Sequence, residues 1–263
     1  MRKYTNLFLI NWQNGLVYRT SVLLWRFRQL MSTLMALTIW QVIYQGTPET
    51  LGYTQSSMVT YVFLASMLQS VVLSSALMGL ANIIYSGEFS NQLLKPVNMY
   101  GYLATQEAAD KLKNLFFLII ESTILYFLFL PEIVLPSLIN GLFFVMLTCG
   151  AIVLNFLITL LFGAIGFWSP DTWGPRFIFF MIVDFTAGKL FPLDIFPDSI
   201  QKIIFLTPLP FFTFVPTQIF LERFDFATAM QHALTLTLWI IVLWCLVWYL
   251  WKKGIKNFSA AGH

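Results

Sequence analysis

The sequence reads as an all-α polytopic membrane protein, and three observations carry that reading. Of its 263 residues 58% are hydrophobic and only 10% charged, where a soluble domain carries about 25% charged residues. Six apolar stretches approach or exceed the roughly 20 residues that a helix needs to cross a bilayer. Lys and Arg collect on alternate connecting segments, the charge asymmetry that orients membrane helices. The chain is expected to be one transmembrane domain, 1–263.

Residues 1–28 hold Arg2, Lys3, Arg19, Arg26 and Arg28 among Leu7, Phe8, Trp12, Leu16 and Tyr18. Phe8, Trp12 and Leu16 recur every four residues, which predicts an amphipathic surface helix on the inner leaflet. Spans are expected at about 29–45, 57–80, 114–130, 138–167, 177–196 and 232–251. The fourth is longer than needed, so it is expected to tilt or to break at Gly150. The fifth is the least regular, with Asp184, Gly188, Lys189 and Pro192 inside it. Between the fifth and sixth, 197–231 is too apolar for an exposed loop, yet Pro208, Pro210 and Pro216 forbid one continuous helix. Two short helices re-entering the outer leaflet under protein cover reconcile these facts.

The connection 81–113 contains a short amphipathic peg. Ser86 or Gly87 can start it, and Pro96 biases Lys95 away from helical dihedrals and ends it. Phe89 and Leu93 share a face with Leu94 beside them, while Glu88, Asn91, Gln92 and Lys95 are polar. Such a peg suits either the headgroup layer or a partner protein. Charge decides its side of the membrane. With the N-terminus inside, the inner segments hold Lys or Arg at 2, 3, 19, 26, 28, 95, 111, 113, 176, 252, 253 and 256, and the outer ones only Lys189, Lys202 and Arg223. Twelve against three puts both termini and the peg in the cytoplasm.

The chain carries no G-x-x-x-x-G-K-[ST], H-E-x-x-H or G-x-S-x-G motif. Its two histidines stand far apart and both cysteines, Cys149 and Cys245, fall in expected spans, so neither a metal centre nor a disulfide framework is indicated. The 81–113 connection is far below the ~100–200 residues of an ordinary domain, so any ATP hydrolysis belongs to another chain. Glu121, Asp184 and Lys189 are candidates for a transport path, because ionisable groups within a membrane are costly to bury. Glu121 and Asp184 would equally serve as paired carboxylates in an intramembrane enzyme, and a secondary carrier is a further alternative. Lys189 stands at i+5 from Asp184, too far round a helix for an ideal partner; the plainer alternatives to a transport path are that Glu121 bonds to a neighbouring helix and that Lys189 snorkels outward. Trp248, Tyr249 and Trp251 are expected to anchor the last span at the interface.

The order of surface helix, six spans, cytoplasmic peg and re-entrant outer segment resembles the type-2 ABC exporter permeases. Three stretches are similar to the bacterial family in which paired permease genes accompany one ATPase gene. They are Ser86-Gly87-Glu88 with Leu93-Leu94-Lys95-Pro96-Val97, then Phe191-Pro192-Leu193-Asp194-Ile195-Phe196-Pro197, then Thr207-Pro208-Leu209-Pro210-Phe211 leading to Pro216. The ending Phe258 to His263 is similar in part. The resemblance implies a half-transporter in the bacterial cytoplasmic membrane that binds no cofactor itself, with ATP and Mg on a cytoplasmic ATPase dimer. Its partners would be that dimer, a second permease chain and membrane lipids, with no nucleic acid. Gly87, Glu88, Phe89, Leu93, Leu94, Lys95 and Pro96 would form the ATPase coupling helix, and Phe191, Pro192, Asp194, Phe196 and Pro197 the outer gate. The cargo would be a hydrophobic or amphipathic small molecule, or alternatively a lipid or lipid-linked glycan.

Overall fold

Long apolar runs without internal proline become the long helices, and clusters of proline, glycine and serine cut the remainder short. The computed structural model describes residues 2–17, 19–46, 49–50, 52–129, 132–169, 171, 173–189 and 191–258; the Ser, Ala and Gly-rich ending at 259–263 lies outside these. Helix α1 (Arg2–Val17) is followed by α2 (Arg19–Tyr44), a small hairpin of β1 (Glu49–Thr50) and β2 (Tyr53–Thr54), and α3 (Gln55–Val72). Next come α4 (Leu80–Tyr85), α5 (Ser90–Leu93), α6 (Met99–Phe129), α7 (Leu138–Ile165) and α8 (Trp173–Thr186). A 3-10 turn (Leu193–Ile195), α9 (Asp198–Phe205), a second 3-10 turn (Leu209–Phe212), α10 (Phe214–Phe220) and α11 (Phe226–Asn257) complete the described chain.

Helix α7 is the central element and packs against α11, α10, α4 and α3. Leu147, Ala151, Leu154 and Ile158 lie on its buried side, at the spacing of a helix face. Gly150 does not break it. A Cβ at that position would stand 2.6 Å from Leu236 of α11, so the glycine serves close approach of two helices, not a kink. Among the described residues, α7 and α11 are the two helices both long and apolar enough to cross a membrane on their own.

Several expected boundaries move. The N-terminal helix ends at Val17 instead of 28, so Arg26 and Arg28 ride on α2, the helix that continues through the expected first span. Helix α1 packs along α6, with Gly15 against the Lys113 side chain. The second span stops at Val72, and residues 73–79 are not helical. The third helix begins at Met99, deep in what reads as a connecting loop. The fifth is the largest correction: α8 has 14 residues, about 21 Å of helix against a hydrocarbon core of about 30 Å. Gly188, at φ +80°, turns the chain out of helix there, in a region side chains avoid. Trp251 also departs from the expected interfacial anchor. It is fully buried and donates its indole N–H to the Leu160 carbonyl at 2.9 Å.

Candidate functional site

The peg is shorter than its sequence implies, and it packs its first apolar residue against the permease itself. Gly87 takes φ +80°, the Phe89 amide donates to the Ile83 carbonyl at 3.0 Å, and regular helix runs only over Ser90–Leu93. Phe89 stays one helical turn from Leu93, whose amide donates to the Phe89 carbonyl at 3.1 Å, but its ring is taken up by the permease itself. It is fully buried, with ring centroids 5.8 Å from Trp251 and 6.0 Å from Phe258. Burying a phenylalanine stabilises by about 1.5–3 kcal/mol, so Phe89 anchors the peg to α11. Leu93 is 39% exposed and Leu94 83% exposed, and Glu88, Lys95 and Pro96 are exposed with them. Lys95 lies 4.5 Å from the centre of the Tyr102 ring and donates to its hydroxyl at 3.2 Å. Lys3 of α1 reaches the Pro96 carbonyl at 3.4 Å. One apolar ring points in, and one apolar leucine points out.

Upstream of the peg, a buried ion pair closes the gap between α3 and α4. Lys111 of α6 donates to the carbonyls of Val72, at 2.8 Å, and Ser74. Glu107 accepts from the Ser75 hydroxyl at 2.8 Å and the Ala76 amide at 3.2 Å, and the pair meets at 3.2 Å. Asn155 of α7 adds a bond to the Ser74 carbonyl at 3.3 Å. Backbone groups freed by the break are thus satisfied by side chains, as a low-dielectric surrounding requires. Burial pushes the Glu107 carboxyl up and the Lys111 ammonium down, and each charge opposes the shift of the other.

This break forms part of the wall of a partly open cavity of about 610 Å³ lined by α2, α3, α6 and α8, a size suited to a drug-sized ligand. Its cations are Arg26, Arg28, Lys113 and Lys189, and its carboxylates Asp110 and Asp184. Lys113 pairs with Asp110 at 2.7 Å and Lys189 with Asp184 at 3.8 Å. The latter pair exists because α8 ends at Thr186, so Lys189 no longer stands at helical i+5. Lys189 turns into the cavity and does not snorkel outward. Glu121 lines a separate pocket of about 10 Å³ and faces Arg26 at 3.5 Å. Glu121 and Asp184 thus each have a basic partner, in contrast to the shared arrangement that a carboxylate pair in an enzyme requires.

At the opposite end from the peg, Asp194 of the first 3-10 turn gathers the hairpin, α10 and the segment between α10 and α11. Its carboxylate accepts from the Tyr53 hydroxyl at 2.6 Å and from Gln218 at 3.1 Å, with Arg223 at 3.8 Å. Arg223 also covers the Tyr53 ring at 3.7 Å and donates to the Gly52 carbonyl at 3.0 Å. Burial, then the neighbouring Asp194, hold the Tyr53 phenol above its ordinary value, so it remains a proton donor. Pro192 and Leu193 are buried, and the Phe191 and Phe196 rings meet edge to face at 5.5 Å. The end of α8 is tied to the same region, since the Phe214 amide donates to the Ala187 carbonyl at 2.9 Å. Pro197 caps the start of α9.

The sequence pattern of the ABC-2 family transporter proteins matches residues 30–262. The chain belongs to that family. It is a type-2 ABC permease, a transmembrane subunit whose family works with an ABC ATPase. No curated protein matches it. Within this ABC-2 permease, the match spans the peg, the α3–α4 break, most of the cavity and the Asp194 clasp, and excludes α1.

Two features of the permease escaped sequence reading. Glu107 and Lys111 fall in the 81–113 connection, although their i,i+4 spacing just before an apolar run marks one face of a helix. Arg28 was assigned to a surface helix, whereas it lines the cavity. No local signal distinguishes a cavity arginine from a headgroup arginine, because the wall opposite comes from α8, some 150 residues away.

Proposed function

We propose that this ABC-2 permease is one half of an ATP-driven exporter in the bacterial cytoplasmic membrane, with both termini in the cytoplasm. Two permease chains pair, and each docks a separate ATPase subunit through the peg, Gly87 to Pro96. Closure of the ATPase dimer on ATP pushes the peg, and α4 carries that push to α7, against which it packs. The Asp194 clasp with Phe191, Pro192, Phe196 and Pro197 acts as the outer gate, and the cavity beside Asp184 and Lys189 receives a hydrophobic or amphipathic cargo. The observation that carries this reading is the divided peg: Phe89 is fixed in the permease while Leu94, 83% exposed, is presented outward. An exposed leucine between Glu88 and Lys95 suits insertion into a groove on a partner.

Phe89 itself does not serve to test docking. A charge at Phe89 would be buried against Trp251 and would disrupt folding, so it does not isolate docking. Leu94→Asp does. With the permease co-expressed with its cognate ATPase and pulled down in mild detergent, wild type retains two ATPases on two permease-sized chains. Leu94→Asp loses about tenfold or more of the retained ATPase, the effect of removing a central contact, while its own elution profile is unchanged. ATPase retention by Leu94→Asp equal to wild type would remove the peg from the docking surface.

A further inference from the structure

We propose that the cavity selects anionic amphiphiles, with Arg28 taking the acidic headgroup. This deepens the exporter reading and rests on it for the meaning of "cargo", while the selectivity itself is a property of the permease alone. Four cations against two carboxylates line the cavity. Three of the cations have carboxylate partners: Arg26 has Glu121, Lys113 has Asp110 and Lys189 has Asp184. Arg28 has none among the described residues; its guanidinium lies 4.3 Å from the centre of the Trp25 ring, itself 64% exposed. A guanidinium laid beside an indole keeps its N–H fork free for a carboxylate or phosphate oxygen. Arg28 and Lys189 line the same cavity, so an anion held between their like charges is favoured by both. The remaining wall supplies what an apolar tail needs: Trp25, Leu73, Met78 and Phe180. A neutral cargo would leave the net positive lining uncompensated, and a cationic one would add to it. An anionic head on an apolar body satisfies both halves.

The test uses the purified full chain in a neutral detergent, without ATPase, and two probes of equal size, 11-(dansylamino)undecanoate and its uncharged primary amide. Dansyl fluorescence reports binding. Wild type binds the carboxylate about tenfold tighter than the amide, the scale of one charge-assisted hydrogen bond. Arg28→Gln brings the carboxylate down to the affinity of the amide and leaves the amide unchanged, which also shows that the variant is folded. Trp25→Ala weakens both probes. Equal affinity of wild type for the two probes, or a preference that survives in Arg28→Gln, would overturn the proposal. Repeating the titration in nanodiscs of phosphatidylcholine with and without phosphatidylglycerol separates the two sources of such a ligand. Displacement of the probe by phosphatidylglycerol assigns the site to a lipid headgroup, and undiminished binding assigns it to a free amphiphile; both keep the anionic class. Because no ATPase is present, loss of anion preference and loss of peg docking are separate failures.

Discussion

Glu107 and Lys111 are the most consequential pair in the protein that no motif announces. They are 3% and 8% exposed, and between them they supply partners to four backbone or hydroxyl groups of the α3–α4 break. Removing one member of a buried pair leaves the other as an uncompensated charge, which typically costs about 3–5 kcal/mol, whereas removing both costs less. Lys111→Met is therefore expected to lower the thermal midpoint of the detergent-solubilised permease sharply. Glu107→Gln/Lys111→Met should recover part of that loss. Recovery should be incomplete, because the Val72 carbonyl loses its donor while Ser74 keeps Asn155. The signature is the non-additivity in a double-mutant cycle. A double variant no more stable than Lys111→Met alone would mean that the two charges act independently, and that the lysine's hydrogen bonds to the backbone hold the break.

Between elements, close approach decides more than hydrophobicity. Helix α4 reaches α7 where Gly166 follows its last turn, and a Cβ there would stand 2.2 Å from the Ala81 carbonyl oxygen. Backbone cannot swing aside as a side chain can, so Gly166→Ala should separate the two elements at an overpacking cost of about 1–3 kcal/mol. Gly141 in α7 would meet only the Pro136 side chain, at an ordinary 3.8 Å, and Gly141→Ala should be neutral or slightly stabilising by helix propensity. Thermal unfolding of the two single variants checks the contrast; equal midpoints would show that α4 is free to shift. These contacts also explain what could be read from the chain and what could not. Helices α2, α6, α7 and α11 follow from apolar content, because a long apolar run has few alternatives to helix in a membrane. The short helices of 197–231 follow from prolines, whose effect is local. By contrast, the stop at Val72 depends on Lys111 and Glu107 from another helix, and the inward turn of Phe89 depends on Trp251 more than 150 residues away. Spacing placed Phe89 beside Leu93, and the Leu93 amide does donate to the Phe89 carbonyl, but spacing does not tell which of the two is covered by α11.

Taken whole, the molecule has one end built from the peg, the α3–α4 break and the basic C-terminal turn of α11, and another built from the hairpin, the Asp194 clasp and α10. The cavity runs between groups that charge counting assigns to opposite sides. Arg28 and Lys113 read as inner and Lys189 as outer, yet all three line one space. The cavity cations therefore carry no weight in orienting the chain; without Arg26, Arg28, Lys113 and Lys189 the count is nine inner against two outer, Lys202 and Arg223, and the charge asymmetry persists. This orientation is open to direct labelling. Cys149 and Cys245 are both free and exposed on α7 and α11, so both are first replaced by alanine. A single cysteine is then introduced in place of Glu132, on the connection before α7, or of Glu88 on the peg; both glutamates are exposed. A membrane-impermeant maleimide added to intact spheroplasts should modify the Glu132→Cys chain and spare Glu88→Cys until the membrane is opened. The reverse pattern would place the peg outside, where no ATPase could reach it, and would overturn the coupling role of Leu94. Modification of both positions in intact spheroplasts would mean that peg and clasp lie on the same side, so that the path from α4 to Asp194 does not cross the membrane.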